Sequence, residues 1–182
     1  FPFSPPLFTG RILKKIPERG DLVVFKTPAD NRTDYIKRLI GLPGDKIQFI
    51  KGDLYINEEL IKKTEINKNL SLRCGPFKLN VTKYTETLPN GVSYTIAYNN
   101  DQSFTDTDIF TVPEKHYFLL GDNRDCSKDS RYISSVGYVN YINFVGKAKM
   151  IFFSNDTIKS SILKFWNWKN SIRFNRFFKK LK

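Results

Sequence analysis

The chain of 182 residues carries a net charge of +12, 40% hydrophobic and 15% aromatic residues, a size that suits one domain with a real core. It contains no run of about 18 apolar residues and no visible secretory leader, so nothing in it reads as a membrane-spanning helix. Two cysteines, Cys74 and Cys126, are too few for a disulfide framework, and one bridge or two free thiols both stay open.

Residues 1–10 are rich in Pro and Phe and read as irregular chain. The opening on Phe1 rather than Met reads as a processed or truncated piece. Asp21 to Lys26 reads as a strand, and Thr27 to Arg32 as a polar turn. A second strand carries Lys37 and ends in the turn Gly41-Leu42-Pro43-Gly44-Asp45. Lys46 to Ile50 and Leu54 to Ile56 flank Lys51-Gly52-Asp53 as a hairpin. Residues 57–80 are polar and mixed and receive no element. Lys83 to Leu88 and Val92 to Tyr98 alternate around Asn90-Gly91 as another hairpin, followed by a polar loop with Asp101, Asp106 and Asp108. His116 to Leu120 reads as a strand feeding a charged loop, and Phe144 to Phe153 as a last strand. Short strands, hairpin turns and no helical period before residue 157 predict a mostly β fold, an antiparallel barrel or sandwich.

The charged loop is Gly121-Asp122-Asn123-Arg124-Asp125-Cys126-Ser127-Lys128-Asp129-Ser130-Arg131. Its charges alternate in sign at short range and can pair with one another, with two hydroxyls among them. A solvated surface turn is the plain alternative; a reactive loop on a strand scaffold is the other.

The ligand count argues against zinc, and there is no Gly-rich phosphate loop. His116, the one histidine, begins an apolar strand and reads as structural. A Cys126–His116 thiol–imidazole pair would span the two ends of that strand. A lysine base fits better. Lysine, with an ordinary pKa near about 10.4, becomes a base at neutral pH only when desolvated or set near other cations. Lys37 lies among Ile36, Leu39 and Ile40, beside Arg38. Alternation along a strand sends Lys37 and Arg38 to opposite faces, Lys37 against a site and Arg38 toward an acid behind it. The competing reading is a plain edge-strand lysine.

Lys37-Arg38-Leu39-Ile40-Gly41-Leu42-Pro43-Gly44-Asp45, with Gly121-Asp122-Asn123-Arg124-Asp125 and Ser127-Lys128-Asp129-Ser130-Arg131, resembles the type I signal peptidases, membrane-anchored serine endopeptidases that remove signal peptides. Arg19-Gly20-Asp21-Leu22-Val23-Val24-Phe25 and Gly146-Lys147-Ala148 agree with it, and the resemblance covers roughly residues 8–155. It implies that Lys37 is the general base of a Ser–Lys dyad, that Ser127 orients it, and that Asp129 and Arg131 form a salt bridge shaping the loop. Arg38 and Asp122 fill motif positions of structural character, with partners unassigned, and Cys126 occupies a variable slot as a bystander.

The resemblance further implies no cofactor and no metal. It implies preprotein signal peptides and a phospholipid membrane as partners, no nucleic acid, a monomer, and a place at the bacterial plasma (inner) membrane with the catalytic domain on its periplasmic or outer side. The family's nucleophilic serine lies in a Ser-Met-x-Pro-like segment upstream of the lysine strand. No such segment precedes Lys37, and Ser4, followed by Pro5 and Pro6, is a poor substitute. The oxyanion hole, built from the same segment, goes with it. A truncated copy of an active enzyme is the reading preferred over an inactive paralogue.

Residues 1–156 thus form the catalytic β domain and 157–182 a separate tail. That tail holds eight Lys and Arg and no acid, leaving only +4 on the rest. Ile158, Ile162, Phe165 and Ile172 fall near helical spacing, predicting a basic amphipathic helix that lies on an anionic membrane or packs on the domain. The competing class is a β-barrel binding module for nucleic acid or peptide, against which the excess charge sits in the tail and not along the strands. Self-cleaving repressors also use a Ser–Lys dyad, but no helix-turn-helix segment is seen.

Overall fold

The computed structural model describes residues 16–100, 106–152, 154 and 172–181. The chain divides into two compact units, Phe1–Lys147 and Ala148–Lys182.

The strands of the first unit are β1 (Leu22–Lys26), β2 (Asp34–Gly41), β3 (Lys46–Ile50), β4 (Asp53–Ile56), β5 (Glu59–Leu60), β6 (Lys63–Cys74), β7 (Phe77–Thr87), β8 (Ser93–Asn99), β9 (Phe110–Thr111), β10 (His116–Leu120), β11 (Val139–Asn140) and β12 (Phe144–Lys147). They pair antiparallel into sheets of order β11-β10-β2-β1-β12, β5-β4-β3-β9 and β6-β7-β8. The mostly β, antiparallel architecture is the one the alternating patterns predict. At the β3–β4 turn Lys51 and Gly52 both take positive φ (50° and 76°), the conformation that lets a two-residue turn follow the strands' right-handed twist.

Period-two alternation buries the centre of the five-stranded sheet on both faces. Ile40, Phe118 and Leu120 point into a core shared with Ile47, Phe49, Leu54 and Ile96. Leu39, Tyr117 and Leu119 point the other way, against Val23, Phe25, Val139 and Phe144. Tyr35, which packs on Phe25, and Lys37 pair with Phe25 and Val23 of β1, so Lys37 rises on the second face and Arg38 on the first.

Residues 57–80, left without an element by the sequence reading, form β5, β6 and the start of β7. β6 has no fully buried residue, and its register shifts twice, between Glu65 and Asn67 and between Asn67 and Leu70. Its first half, Thr64 to Asn69, is exposed throughout and interrupted by the bulges, so it lacks the apolar alternation by which strands are read; the alternation is confined to half-buried Leu70, Leu72 and Cys74.

In the second unit β13 (Met150–Ile151) pairs with β14 (Lys179–Lys180), and Phe174–Arg176 make a single 3₁₀ turn. The predicted last strand, Phe144 to Phe153, is therefore two short strands with different partners. Most of the predicted tail helix lies outside the described residues, as do the irregular start of the chain and Asp101. Over residues 172–181 the helix is replaced by the 3₁₀ turn and β14. There the Phe178 and Leu181 amides donate to the carbonyls of Ile151 and Lys149 across the strand pair, hydrogen bonds that a helix would have kept within itself.

Candidate active site

Two elements build the site: β2, which carries Lys37 and Arg38, and the loop that leaves β10 at Gly121. Lys37 is half-buried, and its Nζ donates to the Ser127 hydroxyl at 2.8 Å, across 90 residues of sequence. The ammonium also lies 5.5 Å from the centre of the Tyr35 ring. Burial holds the Lys37 pKa below the ordinary lysine range. The Asp129 and Asp122 carboxylates pull it back up, and the Arg131 guanidinium pushes it further down.

Ser127 is buried at 7% exposure and follows a 3₁₀ turn, Arg124–Cys126. Its side chain occupies the space over Gly121: a Cβ on that glycine would stand 1.9 Å from Ser127 Oγ and 2.3 Å from its Cβ. Glycine is needed at 121 for this close approach, whatever its backbone angles.

Asp129 is fully buried and accepts from Arg131 Nε and Nη2, both at 2.8 Å, and from the Gly121 amide at 2.9 Å. One carboxylate thus joins the two ends of the loop. Ser130 is tied to the backbone of Leu119 through both its amide and its hydroxyl. Arg38 and Asp122, whose partners the sequence left unassigned, pair with each other: Nε and Nη2 reach the two carboxylate oxygens at 2.8 and 2.7 Å, while Nη1 donates to the Gly20 carbonyl. The guanidinium carbon lies 4.2 Å from the centre of the Tyr94 ring, and its fork of donors meets both oxygens of Asp122 at once, which a lysine ammonium cannot do in the same way.

A second buried group fastens the loop to β7 and β8. Arg124 forms an ion pair with Glu86, both at 1% exposure, and donates to the Tyr98 hydroxyl at 3.0 Å; Tyr94 donates its hydroxyl to the same Glu86. Burial, with Glu86 adding to it, pushes the Tyr94 phenol well above its usual pKa, so it stays a donor. Arg131 Nη2 donates to the Arg124 carbonyl at 2.5 Å, linking this group to the Asp129 pair. The Asp122 carbonyl accepts from the Ala97 amide, and the Asp125 carboxylate from the Asn99 amide at 2.6 Å. Glu86, Tyr94 and Tyr98 escaped the sequence reading, since a carboxylate in a half-polar strand carries no local sign of its partner.

One expectation is corrected. Cys126, read as a bystander, is disulfide-bonded to Cys74, with Cα atoms 5.7 Å apart, so of the two states left open for the cysteines the bridge is the one formed. The same bond excludes the Cys126–His116 pair that the sequence already disfavoured. His116 is instead within hydrogen-bond distance of the Glu114 carbonyl at 2.8 Å and of the Asn140 amide at 3.4 Å.

A half-buried lysine held by a serine hydroxyl, on a β scaffold braced by buried ion pairs, has the makings of hydrolytic chemistry, and comparison with known proteins places the chain among peptidases. A family model described as signal peptidase, peptidase S26, matches residues 9–153. The signal peptidase I of Rickettsia typhi is 46% identical over 192 residues, covering 97% of this chain and 70% of that protein. That of Rickettsia prowazekii is 44% identical over 191 residues, at 96% and 70% coverage. A crystal structure of a signal peptidase I from Enterococcus faecalis is 31% identical, covering 73% of this chain and 97% of that one, with a TM-score of 0.45. The chain belongs to the signal peptidase family, peptidase S26.

Proposed function

We propose that this domain belongs to a membrane-associated serine endopeptidase that removes N-terminal signal peptides from secreted preproteins, cutting after small residues, with Lys37 as general base. The observation that carries this reading is the 2.8 Å hydrogen bond from Lys37 Nζ to Ser127 Oγ in a buried setting. With Lys37 neutral, one N–H is spent on Ser127 and the lone pair is left to take the proton of a serine nucleophile as it attacks the scissile carbonyl. The lysine then passes that proton to the departing amine. It next deprotonates the water that hydrolyses the acyl-enzyme. Ser127 is enclosed against Gly121 and so orients the lysine and does not attack. The nucleophile is a hydroxyl that residues 1–182 do not offer in a Ser-Met-x-Pro-like segment.

A place on the outer side of the bacterial plasma membrane belongs to the same proposal. The disulfide supports an oxidising compartment. No helix among the described residues is long and apolar enough to cross a membrane.

The test uses a full-length protein carrying this domain behind the serine segment, with a preprotein bearing Ala one and three places before the cut. One cut after the small residue is expected, and Phe in place of the Ala next to the cut should block it. Cleavage of both substrates alike, or of neither by folded protein, would overturn the reading. The kcat/KM should rise with pH along one ionisation below the ordinary lysine range, because the neutral amine is the active form and protonation removes it. A flat profile across that range would remove Lys37 from the base role.

Gly121→Ala should cut turnover on the order of 100-fold, since the new methyl displaces Ser127 and with it the lysine. Unchanged kcat in that variant would show that the seat of Ser127 does not matter to the reaction.

A further inference from the structure

The stretch that carries Ser127 is held unevenly. Upstream, Arg124 is locked by Glu86 and Tyr98, and Asp125 accepts from Asn99. Downstream, Asp129 is locked by Arg131 and Gly121. Between them Lys128 is exposed and Ser127 reaches Lys37 through its hydroxyl. Cys126, directly before Ser127, ends the 3₁₀ turn with its amide on the Asn123 carbonyl at 3.2 Å, and its sulfur is bonded to Cys74.

The other end of the bridge belongs to a different part of the unit. Cys74 ends β6 at the tip of the long β6–β7 hairpin, opposite Phe77 and beside Gly75, which takes a φ of +58°. The tip extends past the start of the β7–β8 pairing at Val81↔Asn99. The loop is thus gripped by the backbone amides of β8, through the Asp122 carbonyl and the Asp125 carboxylate, and covalently by the hairpin tip, 52 residues away in sequence.

We propose that the Cys74–Cys126 bond is a positioning element for catalysis: by fixing Cys126 it seats Ser127 on Lys37, so that full turnover requires the bond to be formed. This rests on the reading of Lys37 and Ser127 as base and orienting hydroxyl. The two thiols become the bridge by exchange with a disulfide donor. One thiolate attacks a donor sulfur and expels the first donor thiol; the second cysteine then attacks the mixed disulfide and expels the other. Two cysteine thiols and one donor disulfide become one protein disulfide and two donor thiols, and the two electrons leave with the donor. A domain made in a reducing compartment therefore reaches its full rate only after delivery to an oxidising one.

The experiment compares the full-length enzyme as isolated, after reduction with a trialkylphosphine, and after reoxidation with oxidised glutathione. Each is assayed on a preprotein at a temperature where circular dichroism shows it folded. The reduced form should lose at least about tenfold in kcat with KM little altered, since displacement of a catalytic group by about an ångström acts on turnover. Its pH–rate limb should be displaced, which a smaller folded fraction would not produce, and reoxidation should restore both. The double variant Cys74→Ser/Cys126→Ser should sit at the reduced level and ignore the reductant. Equal kcat and an unmoved limb in reduced, folded wild-type enzyme would overturn the proposal, even if the double variant fails to fold. Lys37→Ala in the same assay separates the two readings. If it retains turnover, the base assignment falls; if it is inactive while reduction has no effect, only the role of the bridge falls.

Discussion

Lys37→Ala in the full-length enzyme should lower kcat/KM for preprotein cleavage by about 10²–10⁴-fold, the range that a positioned general base supplies, with the melting temperature little changed. The stability half of this expectation follows from the pairing around the lysine. Asp129 is taken by Arg131 and Asp122 by Arg38, so removing the ammonium leaves no carboxylate without a partner. What is lost is the hydrogen bond to Ser127, worth about 1 kcal/mol. Lys37→Arg separates a base from a mere positive charge. A guanidinium keeps the charge but does not lose its proton at any working pH, so this variant should be as inactive as the alanine. Normal cleavage by either variant, measured on purified folded protein, would end the assignment.

Glu86→Ala should be the most destabilising single change in the loop's support, costing about 3–5 kcal/mol, because it leaves the Arg124 guanidinium buried without its counter-charge. Tyr94 loses its acceptor at the same time. For a chain of this size that corresponds to a fall in melting temperature on the order of 10 °C. Activity should fall with it, since the Arg124 carbonyl is what Arg131 Nη2 holds beside the Asp129 pair. The exposed pair Glu65–Lys68 supplies the control. Glu65→Ala should move stability by less than about 1 kcal/mol, because surface charges are screened by water whether paired or not. Similar melting temperatures for the two variants would show that the buried pair does not brace the loop.

The two cases differ in how visible they were beforehand. Lys37, Ser127, Asp129 and Arg131 stand in long motifs whose residue types and spacing can be compared along the chain, and Asp129 and Arg131 are close enough in sequence to be paired on sight. Glu86 had no such mark. Nor did Cys74, which sits at a hairpin tip, at the end of a strand whose exposed, bulged first half shows no period. Arg38 and Asp122 were both recognised as structural, yet their pairing spans 84 residues and depends on β2 lying beside β10.

Amino-acid order alone determined what is local: the strands with one buried face, the glycine-bearing turns, the opposite exits of Lys37 and Arg38 from one strand, and the motif positions that resemble the family. These follow from backbone geometry within a few residues. Only the tertiary structure decided which distant groups meet. The Glu86–Arg124 pair, the Arg38–Asp122 pair, the seat of Ser127 over Gly121 and the Cys74–Cys126 bridge all depend on sheet order and register. A charge or a thiol shows no preference for a partner until packing brings one within reach and removes the water between them.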